Sequence, residues 1–223
     1  MSRKSLVKGY NFIHQSQLGG LKFKATSDTG IALTYFIHMG WIRNLSTSTL
    51  AFNISQFFSY LNHCLLPHIL GKVGFDPKVV HFFSNYLISR KTHYVWNSFS
   101  SHFFNVDIGV GQGSALSLIL SALYSALILH ILKSCLKILK ILVSILSFVD
   151  KSLLIAQSKS LSISNSLLFC SYNIASNLLT KFGLIIEQSK TEVFHFLRLF
   201  GAFNLPPLDL SALGGLILYP KET

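Results

Sequence analysis

Apolar residues along this chain fall into long runs that predict helices and short runs that predict strands. The long runs predict helices at residues 29–44, 61–70, 78–89, 114–137 and 161–182. Short apolar runs bounded by turn residues predict strands at residues 50–54, 93–97, 103–110, 145–149, 153–156, 184–187 and 192–196. The chain is therefore expected to fold as an α+β protein.

The order of these elements narrows the fold further. A strand is followed by helices, a long helix, a hairpin, another helix and further strands. That order fits a sheet with helices packed on one face, and it fits the split βαβ arrangement of a ferredoxin-like sheet. Pro67 is expected to interrupt its helix, and Asp150, Lys151 and Ser152 are expected to form the hairpin turn. No linker stands out, so a single domain is predicted.

One apolar run is long enough to raise the question of a membrane. Residues 115–132 are 18 residues without a formal charge, which is the minimum for a transmembrane helix. Ser117, Ser121 and Ser125 give this helix a mildly polar stripe, and residues 133–140 continue it with an amphipathic pattern. Because a buried core helix is also apolar nearly all round, a core helix is favoured, and a small membrane protein is the less favoured alternative.

The charge of the chain points to anionic partners. The 223 residues include 19 Lys and Arg against 8 Asp and Glu, a net charge of +11, although only 12% of the residues are charged. A field of that sign favours polyanions, either nucleic acid or an anionic membrane surface, unless it serves solubility alone.

The cysteines indicate the compartment. Cys64, Cys135 and Cys170 stand far apart, and the chain has no CxxC pair. They form neither a disulfide framework nor a zinc module, so a reducing, intracellular compartment is expected.

Four segments, which follow one another in a set order along the chain, carry the residues with candidate chemistry. Residues 51–58 read AFNISQFF, residues 109–117 read GVGQGSALS, residues 148–151 read FVDK, and residues 182–192 read FGLIIEQSKTE. Together they resemble the reverse transcriptase domain of a non-LTR, LINE-like retrotransposon. The upstream segment QLGG, at residues 17–20, is similar to part of the fingers of that family.

The resemblance implies a polymerase palm with a ferredoxin-like sheet, preceded by partial fingers. Residues 1–50 would be the fingers segment, residues 51–200 the palm and residues 201–223 a loop-like tail. The implied activity is RNA-directed DNA synthesis by nucleotidyl transfer with two Mg²⁺ ions. RNA and DNA are the implied partners, in the nucleus or cytoplasm, and neither a specific protein partner nor a membrane is expected.

The resemblance also assigns roles to individual residues. Asp150 matches a catalytic, metal-binding aspartate, and Asn53 and Lys151 occupy the positions of the other two metal-binding aspartates. Lys190 matches a catalytic lysine that meets the triphosphate. The residues that match the nucleotide and template pocket are Phe58, Gln112 and Gly113. Taken singly, Asp150 is better interpreted as a turn former and Lys190 as a solvated charge, and the family roles rest on the four segments taken in order.

The charges at these positions argue against the chemistry of the family. Three carboxylates would face the metal ions, whereas Asn53, Asp150 and Lys151 sum to a formal charge of zero. An amide is a weaker ligand than a carboxylate for a hard cation. A lysine at about 4–6 Å would repel a divalent ion by several kcal/mol. Metal binding and catalysis are therefore expected to be lost, and the alternative of another class is a non-catalytic basic domain that binds nucleic acid.

A geometric expectation follows from the same resemblance. Asn53 and Asp150 are 97 residues apart in sequence, yet both must point into one cleft if the palm is intact. Glu187 is expected near the same cleft, although one glutamate does not restore the site.

Overall fold

The computed structural model of the chain describes residues 13–198 and 205–221, which divide into two compact units. The helical unit contains Gln56–Leu127, and the sheet unit contains His14–Ser55 and the chain from Ile128 onward. Parts of the predicted fingers segment, palm and tail lie outside the described residues, namely residues 1–12, 199–204, 222 and 223. The segment boundaries at residues 50 and 200 remain predictions.

The predicted α+β class is confirmed. In chain order the helices are α1 (Thr26–Ile42), α2 (Leu65–Val73), α3 (Pro77–Leu87), α4 (Ala115–Ile138) and α5 (Leu161–Lys181). The strands are β1 (Ser46–Ile54), β2 (Lys91–Thr92), β3 (Val95–Trp96), β4 (Phe99–Ser100), β5 (Phe104–Asn105), β6 (Val143–Phe148), β7 (Lys151–Ser158), β8 (Ile186–Phe196), β9 (Leu208–Asp209) and β10 (Ile217–Leu218). Each predicted helix is present, with ends shifted by a few residues.

The sheet unit is built on four strands in the order β6–β7–β1–β8, and every neighbouring pair is antiparallel. β1 and β6 therefore run parallel with β7 between them, and β7 and β8 run parallel with β1 between them. These are two split βαβ units. The chain passes from β1 to β6 through the helical unit and α4, and from β7 to β8 through α5.

Helices cover both faces of this sheet. On one face Phe52 of β1 packs edge-on against Tyr172 of α5, with ring centroids 5.9 Å apart. On the other face α1 lies so close to the sheet that a Cβ on Gly40 would come within 2.7 Å of Thr47 Oγ1. The prediction of helices on one face is therefore wrong. The short side chains on this side of β1 leave room for a second helix, and they belong to Thr47, Thr49 and Ala51.

The two strands predicted near the end of the chain form the single strand β8. Its register against β1 shifts between Ala51, which lies opposite Glu192, and Asn53, which lies opposite Glu187. The residues between the two glutamates bulge out of the ladder, which explains the break in the apolar pattern. The described part of the tail, predicted to be loop-like, contains the short antiparallel pair of β9 and β10.

The helical unit departs from the prediction at a proline and at a ribbon. Pro67 lies in the first turn of α2, where its missing N–H has no partner in the helix, so it does not interrupt the helix. The strands predicted at residues 93–97 and 103–110 are a ribbon of two-residue strands, β2 with β5 and β3 with β4. The ribbon stops before Gly109, which has a φ of +83° and passes too close to Ser59 for a side chain.

α4 is the one helix in the described part of the chain that is long and apolar enough to cross a membrane. In this protein 61% of its most apolar window is buried, as in a core helix. Ser117, Ser121 and Ser125 are all buried along it. This burial agrees with the core helix that the sequence favours.

Candidate functional site

The ends of β1 and β7 bring the predicted metal-site residues together. Asn53, next to the last residue of β1, pairs directly with Lys151, the first residue of β7. The backbone N–H of Ile54 donates to the carbonyl of Asp150 over 2.8 Å. The backbones of Asn53 and Asp150 are therefore close together, whereas a single cleft that receives both side chains stays a prediction.

The turn between β6 and β7 is shorter than predicted. It consists of Val149 and Asp150, and Val149 has a φ of +57°, which β-branched residues rarely adopt. Lys151, predicted to lie in the turn, instead opens β7 and pairs with Phe148. Because directly paired residues point to the same side of a sheet, Lys151 shares one face with Asn53.

The predicted fingers segment packs against this turn. Gln17 bridges in parallel to Ser147 of β6, and the N–H of Leu18 donates to the Ser147 carbonyl over 2.8 Å. Gly19 then passes so close to the turn that a Cβ there would come within 2.5 Å of the Val149 nitrogen. The glycine is therefore needed for the close approach of two backbones.

A pocket of about 580 Å³ lies between α1 and the sheet, on the face that Asn53 and Lys151 share. Three of the residues predicted from the sequence, Asn53, Lys151 and Lys190, line it together, whereas Asp150 is not among its lining residues. The other lining residues are Thr26, Thr29, Gly30, Leu33, Ala51, Phe52, Leu146, Phe148, Ser152, Leu153, Ser189 and Glu192.

Ion pairs neutralise most of the charge around this pocket. Lys190 Nζ lies 3.0 Å from Glu187 Oε2 across the bulge of β8, and Glu192 pairs with Lys221. Lys151 is exposed and makes no ion pair within the described part of the chain. The pocket therefore carries an unneutralised cation at a position where the resemblance implies a carboxylate.

These residues do not fit the two Mg²⁺ ions that the resemblance implies. Hard divalent cations need several carboxylate or carbonyl oxygens. Residues 13–198 and 205–221 contain no group of three His, Cys, Asp or Glu side chains that could hold a metal ion. Asn53 offers only an amide and Lys151 a positive charge, so Asp150 is the single carboxylate of the predicted set.

The three residues predicted to shape the nucleotide and template pocket belong to the helical unit. Phe58 is half-buried in the 3₁₀ turn after β1, and its carbonyl accepts the N–H of Val110 over 2.7 Å. Gln112 and Gly113 are exposed just before α4. The structure thus joins the segment of Phe58 to the glutamine–glycine segment, and contact of these residues with a nucleotide stays a prediction.

No protein-family model matches the chain, and no curated protein matches it in sequence. Its fold does match solved structures of telomerase, a polymerase related to reverse transcriptases. Telomerase from Candida tropicalis, in complex with the TWJ fragment of telomeric RNA, aligns with 85% of this chain at a TM-score of 0.68 and 14% identity. The chain has a reverse-transcriptase-like fold.

Two further telomerase structures agree. The apo Candida tropicalis protein truncated from its C-terminal domain aligns with 91% of this chain at a TM-score of 0.67 and 15% identity. The Candida albicans protein in complex with the TWJ fragment aligns with 91% at a TM-score of 0.58 and 15% identity. The matches cover 33%, 41% and 36% of those chains, so this reverse-transcriptase-like chain spans less than half of their length.

Two parts of the pocket were missed in the sequence. α1 supplies one wall, including Thr29 and Leu33, and the signal that could have revealed its packing on the sheet is Gly40. Lys221 neutralises Glu192 from 29 residues away. No pattern in the sequence marks that contact.

Proposed function

We propose that this chain is the palm, with part of the fingers, of a reverse transcriptase from a non-LTR retrotransposon, and that it binds RNA or DNA but no longer performs nucleotidyl transfer. The reverse-transcriptase-like fold and the four ordered segments support this origin. The observation that carries the loss of activity is the cross-strand pair of Asn53 and Lys151.

That pair reverses what the site attracts. An amide and an ammonium group stand where two carboxylates would reach metal ions. In a partly dry cleft a lysine about 4–6 Å from a divalent ion repels it by several kcal/mol. The neutral oxygen of Asn53 does not compensate for this repulsion, and the Asp150 carboxylate alone supplies too few oxygen ligands for a hard cation.

Nucleic-acid binding is proposed from the distribution of charge on the sheet unit. β1 and β6 begin, and β7 and β8 end, at the end of the sheet opposite Asp150. The described residues of the loops at this basic end include no Asp or Glu. Its exposed cations are Arg43, Lys140, Lys159 and Arg198. Such a cluster favours a phosphate backbone without reading base sequence, and the RNA-bound Candida telomerases support an RNA partner.

Primer extension on an RNA template tests the loss of activity. With Mg²⁺ or Mn²⁺ present, no product above a no-protein control is expected, because the site lacks the carboxylates that hold the ions. Extension above that control would show that the site still works.

Binding to labelled single-stranded RNA, followed by fluorescence anisotropy, should weaken steadily as salt is raised. Affinity that ignores salt would contradict the nucleic-acid proposal.

A non-catalytic basic domain of another origin would show the same salt dependence, and it would be found in the same compartments, the nucleus or cytoplasm. The two origins differ in what a repaired site should do. A former polymerase predicts that carboxylates restored at positions 53 and 151 recover metal affinity, whereas an unrelated basic domain does not.

A further inference from the structure

We propose that the pocket between α1 and the sheet binds a nucleoside phosphate directly through Lys151, without a divalent metal ion. The inference rests on the proposed function in placing the former nucleotidyl-transfer site at this pocket. It goes further in assigning to Lys151 the attraction for phosphate that metal ions would otherwise supply. The residues that fail to fit two Mg²⁺ ions suit an anion instead.

The first support is the charge that the pocket presents. Glu192 is the one carboxylate among the described residues that line the pocket, and Lys221 neutralises it. Lys190 is drawn to Glu187 at 3.0 Å, while Lys151 keeps an exposed ammonium group with no ion pair in the described part of the chain. An incoming anion therefore meets an uncompensated positive charge.

Within the described part of the chain, no acid forms an ion pair with Lys151. Asp150 lies in the hairpin turn and is not a lining residue. Asp28, in the first turn of α1, accepts the N–H of Ala25 over 2.7 Å and is not a lining residue either.

The second support is a pair of polar groups that line the pocket with Lys151. Thr29 Oγ1 is buried and has no hydrogen-bond partner among the described residues, and the Asn53 amide lines the pocket beside Lys151. A buried hydroxyl without a partner is unfavourable, so a ligand oxygen that accepts from it stabilises the complex. A phosphate has enough oxygens to accept from a hydroxyl, an amide and an ammonium group at once.

The third support is the apolar wall. Leu33, Leu146, Phe148 and Leu153 line the remainder of the pocket and suit a nucleobase better than water. The pocket volume of about 580 Å³ lies within the range of roughly 300–1,000 Å³ that is typical of small-molecule sites. A ligand with one flat apolar group and one phosphate group matches both halves of the pocket.

Isothermal titration of the full chain with dGTP in EDTA tests the proposal. Saturable binding to one site is expected without metal. Excess Mg²⁺ should weaken the binding, because it neutralises the phosphates that Lys151 attracts. Binding that occurs only with Mg²⁺, or no binding in EDTA, would overturn the proposal. Inorganic pyrophosphate should bind more weakly than dGTP, since it has no group for the apolar wall, and equal affinity would overturn the nucleoside assignment.

A matched pair of variants locates the site. Lys151→Met should lower the affinity for dGTP about tenfold, the effect of losing one charged hydrogen bond. Lys151→Arg should retain binding. Lys181→Met removes the same charge from the exposed end of α5, outside the pocket, and should leave the affinity unchanged within about twofold. Equal losses in both Met variants, with thermal unfolding unchanged, would show attraction by net charge alone and sink the proposal.

Failure of this inference is separable from failure of the proposed function. If the wild-type chain does not bind dGTP in EDTA but the double variant Asn53→Asp with Lys151→Asp gains Mg²⁺ affinity, direct anion binding is wrong and the polymerase origin stands. If the wild-type chain binds dGTP and the double variant gains no metal affinity, the anion site stands and the origin is in doubt.

Discussion

Asn53 and Lys151 are directly paired across β1 and β7, the two central strands of the sheet. Backbone hydrogen bonds of the ladder place both residues, so their side chains can change without moving the strands. This explains how a reverse-transcriptase-like fold persists around a site with no net charge from the predicted metal-binding residues. The pair also supplies the most direct test of where the fold came from.

Restoring carboxylates at this pair should restore affinity for divalent ions. The double change Asn53→Asp with Lys151→Asp replaces an amide and an ammonium group by two ligands close to Asp150. Calorimetry with Mn²⁺ should then detect binding that the wild-type chain lacks. Asn44→Asp with Lys159→Asp makes the same charge change at the basic end of the sheet, and an equal gain there would contradict the site assignment.

Gly19→Ala should destabilise the sheet unit and loosen the hairpin turn. The new Cβ would come within 2.5 Å of the Val149 nitrogen, which belongs to backbone and cannot rotate away. A loss of about 1–3 kcal/mol in the free energy of unfolding is expected in urea titrations. Gly30→Ala is the control, since no described residue lies within 4 Å of its Cβ position in α1, and it should stabilise slightly. Equal effects of the two changes would show that the close approach at Gly19 carries no strain.

Stability should fall as the solution is acidified from neutral pH. Burial, followed by His130 and Lys133, lowers the pKa of His14 from 6.5 to about 4. The unfolded chain therefore binds a proton in this window that the folded chain does not, so unfolding is favoured as pH drops from about 6.5 to 4. Burial lowers the pKa of His195 as well, which acts in the same direction.

The variant His14→Gln keeps a polar side chain and removes this titration. The plot of unfolding free energy against pH should become shallower between about pH 6.5 and 4. The loss of unfolding free energy across this window should be smaller than in the wild-type chain by up to about 3 kcal/mol. Denaturant melts at several pH values measure it. An unchanged slope in His14→Gln would show that His14 is not the proton-linked group.

Charge reversal at the basic end should weaken RNA binding and its salt dependence together. Lys140→Glu with Lys159→Glu removes two cations from loops that contain no described acid. For single-stranded RNA the slope of log affinity against log salt should drop by about 1.4 if both lysines contact phosphates. Lys22→Glu with Lys24→Glu gives the same change in net charge near the start of α1. An equal drop in the slope for that control would show that the RNA has no preference for the basic end.

The helices were predictable because each is a long apolar run that needs little help from distant residues to be recognised. The strands were less so. β8 was predicted as two strands because its bulge interrupts the apolar pattern opposite Asn53. The strands of the ribbon before Gly109 were predicted to be too long, because their aromatic residues favour extended structure beyond the residues that pair. The proximity of Asn53 and Asp150 followed from the resemblance to a polymerase palm and not from any local signal.

By itself, the sequence determined where the helices form, the order that makes a split βαβ sheet, and the residue types at the candidate site, since all three depend on local pattern and chain order. Only the tertiary structure decided that Lys151 belongs to the ladder, that α1 covers the pocket face, and that Lys221 neutralises Glu192. These features depend on strand register and on contacts between residues far apart in the chain. A one-residue change in turn length moves a side chain to the other face of a sheet, and no local pattern encodes that choice.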